Sequence, residues 1–114
     1  MSRSLCYQVE KSFRDYSPDI EAVNIHYILA AEDVAPDWSQ RRTLYLPRVD
    51  DETRRITLNL PLSIESTNGE TTNYMLHYYF EIFQSGDRIY SPEFAEHVMT
   101  APREPIKVSR ERGE

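Results

Sequence analysis

The stretch from Asn73 to Gln84, NYMLHYYFEIFQ, limits the fold more than any other part of the chain. Taken with period two, it sets Tyr74, Leu76, Tyr78, Phe80 and Ile82 on one side. Met75, His77, Tyr79, Glu81 and Phe83 fall on the other. Strand side chains point alternately to opposite faces, so the first set reads as a core stripe. The run lacks glycine and proline and is rich in aromatic residues, as a strand buried on at least one face is. Wound as a helix, it would surround the axis with apolar groups and leave no polar stripe for water. It reads as a strand.

Composition narrows what such a strand belongs to. At 114 residues, the chain has the length of a single domain with a modest core. A lone cysteine, Cys6, excludes an internal disulfide, CxxC redox chemistry and a zinc knuckle. The start, MSRSLCYQVE, has no apolar signal core, and no run approaches the length of a membrane span. A cytoplasmic setting is expected, with no membrane partner. The net charge of −6 argues against nucleic acid, whose phosphates call for a basic stripe.

Further alternating segments surround the central run. Leu5, Tyr7 and Val9 alternate with Cys6 and Gln8, and Tyr16-Ser17-Pro18-Asp19 is a turn signal. From Glu21 to Ala31, Val23, Ile25, Tyr27 and Leu29 share one face, while Asn24, His26 and Ile28 share the other. A polar connection, Glu32 to Gln40, contains Trp38 and leads into a shorter strand, Arg41 to Pro47. There Leu44 and Leu46 lie opposite Thr43 and Tyr45. After an acidic turn at Asp50, Asp51 and Glu52, the strand Arg54 to Ile64 turns Ile56, Leu58, Leu60 and Leu62 inward. Pro61 removes a ladder donor, which implies an edge or a bulge. Ser66 to Thr72, around Asn68-Gly69, reads as a turn. Ser85-Gly86-Asp87 closes a tight hairpin, and Pro92 is expected to interrupt the returning strand before it resumes from Phe94 to Thr100.

Six or seven strands without a helix describe an all-β fold, a small antiparallel sandwich. The domain is expected over 1–102. The charged stretch 103–114 has little apolar surface to bury, so it reads as a flexible tail. From Ile56 to Pro102 the chain resembles the second half of a fibronectin type III or related immunoglobulin-like domain. The marks are an alternating leucine strand, Tyr74 opening a long aromatic strand, the hairpin at Gly86, the Ser91-Pro92 step and the closing Val98-Met99-Thr100-Ala101-Pro102. The resemblance implies an immunoglobulin-like sandwich of about seven strands, with Tyr74 as a tyrosine corner. Fold resemblance of this kind implies architecture and not activity. Carbohydrate-binding modules share the same sandwich shape.

Catalytic and metal-binding motifs are not found. His26, His77 and His97 lie in strands, and only His77 and His97 are placed to approach each other through the hairpin. No third ligand stands at a diagnostic spacing. The carboxylates Glu32, Asp33, Asp37, Asp50, Asp51 and Glu52 lack the alternation and glycine of a calcium loop, and read as solvated surface. Cys6 has no basic partner to activate it. P-loop, dinucleotide-binding and nucleophile-elbow patterns are missing as well. The chain is therefore read as no enzyme, with no cofactor and no metal.

The outward face of the central run is the stronger lead. Solvent-facing strand positions usually carry Thr, Lys or Glu, whereas here stand Met75, His77, Tyr79 and Phe83, with Tyr45 expected on the same sheet face. The leading expectation is a non-catalytic interaction or accessory module that binds a protein through this row, with a homodimer as one form. The alternative is a small carbohydrate-binding module in which a glycan stacks on Tyr79 or Trp38 while His77 reads hydroxyls. The third reading covers the row with a segment of the same chain.

Overall fold

The computed structural model describes residues 2–16, 19–63 and 71–102. Over these the chain forms β1 (Ser2–Ser12), β2 (Ile20–Ala31), a 3-10 turn (Trp38–Gln40), β3 (Arg42–Tyr45), β4 (Thr53–Ser63), β5 (Thr71–Gln84), β6 (Asp87–Tyr90) and β7 (Phe94–Pro102). The fold is all-β. β1 and β4 pair in a two-stranded antiparallel sheet. The other sheet is five-stranded, ordered β3-β2-β5-β6, with β7 also paired to β5. Among the described residues no helix is long and apolar enough to cross a membrane.

The alternation read from sequence becomes burial. Tyr74, Leu76, Tyr78, Phe80 and Ile82 of β5 are all buried, as are Val23, Ile25 and Tyr27 of β2. From the smaller sheet, Val9, Leu58 and Leu60 join the same cluster, so the two sheets share one core. Cys6, Thr57 and Asn59 face solvent, as their parity requires. Leu44 shares its parity with buried Leu46, yet it remains exposed because β3 is an edge strand.

β5 is the central strand because both of its edges are occupied. β2 runs along one edge from Gln84 to Tyr74. Along the other, β6 takes Glu81 to Gln84 and β7 takes Thr71 to Tyr78. Pro92 lies in the gap between β6 and β7, where a proline removes a ladder donor. Ser91 repairs the ladder there. Its N–H donates to the Phe80 carbonyl at 2.9 Å, and the Phe80 N–H donates to its hydroxyl oxygen at 2.8 Å. The hairpin at Ser85 and Gly86 has φ of 51° and 82°, the double positive φ that a two-residue type I′ loop needs.

Some boundaries differ from the sequence reading. β5 begins at Thr71, inside the expected Ser66 to Thr72 turn, because Thr71 and Thr72 pair with Pro102 and Ala101. The rest of that turn, with Asn68-Gly69, lies outside the described residues, as do Ser17-Pro18, Ile64 and the stretch 103–114. Pro61 pairs opposite Ser4 in a ladder without a register shift, so of the two alternatives the edge applies. The acidic turn is held by Asp50, whose Oδ1 accepts the N–H of Glu52 at 2.9 Å and of Thr53 at 2.8 Å.

A polar staple joins the sheets. Tyr7 on β1 donates its hydroxyl to Glu96 Oε1, and Tyr78 on β5 donates to Glu96 Oε2 at 2.5 Å. The hydrogen bond to Glu96, followed by burial, raises the Tyr7 phenol from 10.0 to about 12. Burial, then the Glu96 bond, pushes Tyr78 up as well. Unfolded tyrosines lose their protons near pH 10 while these two keep theirs, so the staple's stabilisation is intact below pH 10 and is lost as pH rises through about 12. Denaturation midpoints followed from pH 9 upward should fall steeply above about pH 10. Glu96→Gln should blunt that fall, and an equally steep fall in the variant would remove the staple from the account.

Candidate functional site

The outer face of the five-stranded sheet is set by register. His26 on β2 lies opposite both Thr43 on β3 and Tyr79 on β5. Asn24 lies opposite Glu81, which in turn lies opposite Tyr90 on β6. Residues directly opposite in an antiparallel pair share a face, so these side chains meet above one sheet surface.

An aromatic row crosses this surface. His26 stacks on Tyr79 with ring centroids 4.8 Å apart and planes at 16°. Trp38, carried by the 3-10 turn, meets Tyr79 at 5.2 Å and 64°, and Tyr90 meets it at 6.1 Å and 64°. The turn holds Trp38 there because Asp37 caps it, accepting the Ser39 N–H at 3.1 Å, while Arg41 donates to the Trp38 carbonyl at 2.9 Å. Tyr79 is consequently half-buried and Tyr90, at 53%, is the most exposed ring of the row.

A charged network lies beneath the rings. His26 Nε2 lies 2.8 Å from Glu81 Oε1, and Asn24 Nδ2 donates to the same oxygen at 3.4 Å. Arg88 Nε pairs with Glu81 Oε2 at 3.3 Å. On the far side of the imidazole, Thr43 Oγ1 lies 2.8 Å from Nδ1 and Arg41 Nε donates to Nδ1 at 3.3 Å. With Nδ1 accepting, Nε2 carries the proton and donates it to Glu81. Burial works to raise the Glu81 carboxyl, but the bonds from His26 and Asn24 and the positive charge of Arg88 outweigh it, leaving it below the ordinary 4.5. His26 and Glu81 are only 8% and 9% exposed, so the network is a foundation for the rings above it.

A hydroxyl, an imidazole and a carboxylate in line invite comparison with a nucleophilic triad. Here the imidazole lone pair that would take the Thr43 proton is shared with the Arg41 donor. The group reads as a network that fixes side chains. Among the described residues no three His, Cys, Asp or Glu side chains are grouped to hold a metal ion.

The six residues singled out from sequence are distributed unevenly. Tyr79 and Trp38 are in contact. Phe83 lies at the edge of the patch under the Arg88 guanidinium, 5.5 Å from its ring centre. His77 bonds Glu93 at 3.3 Å, and Met75 pairs across from Ala30 and His97; both are half-buried. Tyr45 stands apart. Register places it on this face, but its ring is 6.0 Å from the Arg54 guanidinium, around the sheet edge. His77 and His97 do not bond each other, since His97 Nε2 contacts Thr100 at 3.1 Å.

Tyr90, Glu81, His26, Thr43 and Arg41 belong to the site and were not singled out from sequence. The signal was partial: His26 and Glu81 both stood on outward parities, but their pairing spans 55 residues and needs the β2–β5 register. No protein-family model, no curated protein and no solved structure matches the chain.

Proposed function

We infer that the chain is a non-catalytic interaction module of immunoglobulin-like, fibronectin type III-like architecture, working in the cytoplasm and binding a protein surface through the outer face of its five-stranded sheet. The first partner to consider is a second copy of itself. The observation that carries this reading is the row Trp38–Tyr79–Tyr90, whose end residue is half exposed on a strand where polar side chains are usual. The architecture is supported by the crossings of the chain between sheets, from β1 to β2, β3 to β4 and β4 to β5.

Self-association is supported by charge. Arg41 borders the row on the Trp38 side, and half-exposed Glu93 borders it on the Tyr90 side, next to His77. A two-fold axis along the strand direction, between two such faces, lays Trp38 and Arg41 of one copy on Tyr90 and Glu93 of the other. Arg88 does not upset this match, because Glu81 already pairs with it.

A sugar would need a bare ring face, and His26 already occupies one face of Tyr79. The glycan reading therefore rests on Trp38. The two readings separate on a pair of assays run on the wild type, Tyr90→Thr and Trp38→Ala. Amide shifts that depend on protein concentration, cluster on β3, β5 and β6, and vanish in Tyr90→Thr are the expected result. Glycan-array binding that is lost in Trp38→Ala, with no concentration-dependent shifts, would assign the face to sugar instead.

A further inference from the structure

At the hairpin end of the fold, away from the aromatic row, a pocket of about 400 Å³ opens between the two sheets, at the small end of ligand-site volumes. Phe13, Tyr16 and Ile20 form its apolar wall. Arg54, with Arg48 and Arg14 nearby, forms the basic one.

Arg54 continues the inward stripe of Ile56, Leu58 and Leu60, so a guanidinium stands where the next core side chain would be. It is only 4% exposed. Its Nη1 donates to the Leu46 carbonyl at 2.9 Å and reaches the Tyr45 hydroxyl at 3.4 Å. Among the described residues no carboxylate lies within ion-pair distance of it, and its Nε and Nη2 donate to nothing. Arg54 lines the pocket with its Nε and Nη2 uncommitted, and the fork of an arginine matches an oxyanion through two parallel bonds.

We propose that this pocket binds a small carboxylate bearing an apolar group, its carboxylate on Arg54 and its apolar part against Phe13 and Tyr16. Carboxylate is favoured over phosphate because Asp50, Asp51 and Glu52 line the same pocket and repel a second negative charge.

Titration of the full chain with sodium phenylacetate, read from the Arg54 Nε–H and Tyr16 ring signals, tests the assignment. Saturable shifts at both are expected, with phenylacetamide at least about tenfold weaker because it lacks the charge the arginine selects. Arg54→Gln should abolish the shifts. If that variant does not fold, the comparison of acid with amide on the wild type decides, with Arg48→Gln as a second variant expected to weaken binding severalfold. Equal response to acid and amide, or no saturable shift at Arg54, overturns the proposal. Phenyl phosphate binding as tightly as phenylacetate overturns the choice of carboxylate.

Discussion

Phe80→Ala should lower the free energy of unfolding by about 3–5 kcal/mol, and Leu58→Ala by about 2–5 kcal/mol, because each leaves a cavity in a close-packed core. Phe80 is fully buried and meets Phe13 edge-on at 5.3 Å, Tyr78 at 5.6 Å and Phe94 at 5.9 Å. It therefore joins the segment after β1 to β5 and β7, and no single neighbour can move in to fill its volume. Leu58 belongs to the smaller sheet and tests the same core from the opposite side. A domain of this size holds only about 5–15 kcal/mol in total, so either loss should move the thermal midpoint by more than about 8 °C. Midpoints unchanged in both variants would contradict the shared core.

The second large effect is expected at Glu81. Glu81→Ala leaves Arg88 without its anion and His26 and Asn24 without their acceptor, at a cost of about 1–3 kcal/mol. Glu81→Gln should cost less, since its amide oxygen still accepts from His26. The wild type should also carry an acid signature. The folded carboxyl ionises below 4.5, so its stabilisation is fully present above that pH and is lost as pH falls through the lower folded value. Denaturation midpoints taken from pH 6 downward should fall in the wild type and fall less in Glu81→Gln. Parallel curves would mean that the network contributes nothing to folding.

Much of this fold was legible because a strand's period of two survives in the sequence wherever one face is buried. The stripe of β5, the stripes of β2 and β4, the hairpin at Gly86 and the break at Pro92 all follow from local chemistry. What remained hidden depends on register. Trp38 reads as part of a polar connection until the 3-10 turn folds it over Tyr79. Ser91 gives no local hint that its hydroxyl oxygen accepts the Phe80 N–H beside the break at Pro92. Tyr45 was assigned to the outer face by parity, and parity holds for its backbone. As the last residue of an edge strand, however, its ring turns to Arg54. Arg54 shows the same limit from the other side, since an arginine in an alternating strand ordinarily marks its solvent face, and here it extends the buried one.

The central claim is that the outer sheet face associates, and mass in solution tests it most directly. Light scattering across a range of protein concentrations should give a mass that climbs from the monomer's 13.4 kDa toward twice that value. Tyr90→Thr combined with Trp38→Ala should stay monomeric at the same concentrations while keeping the wild-type circular dichroism spectrum, since aromatic anchors commonly contribute about 1–4 kcal/mol each to an interface. A wild type that holds at 13.4 kDa throughout, or a double variant that associates as the wild type does, would contradict the account.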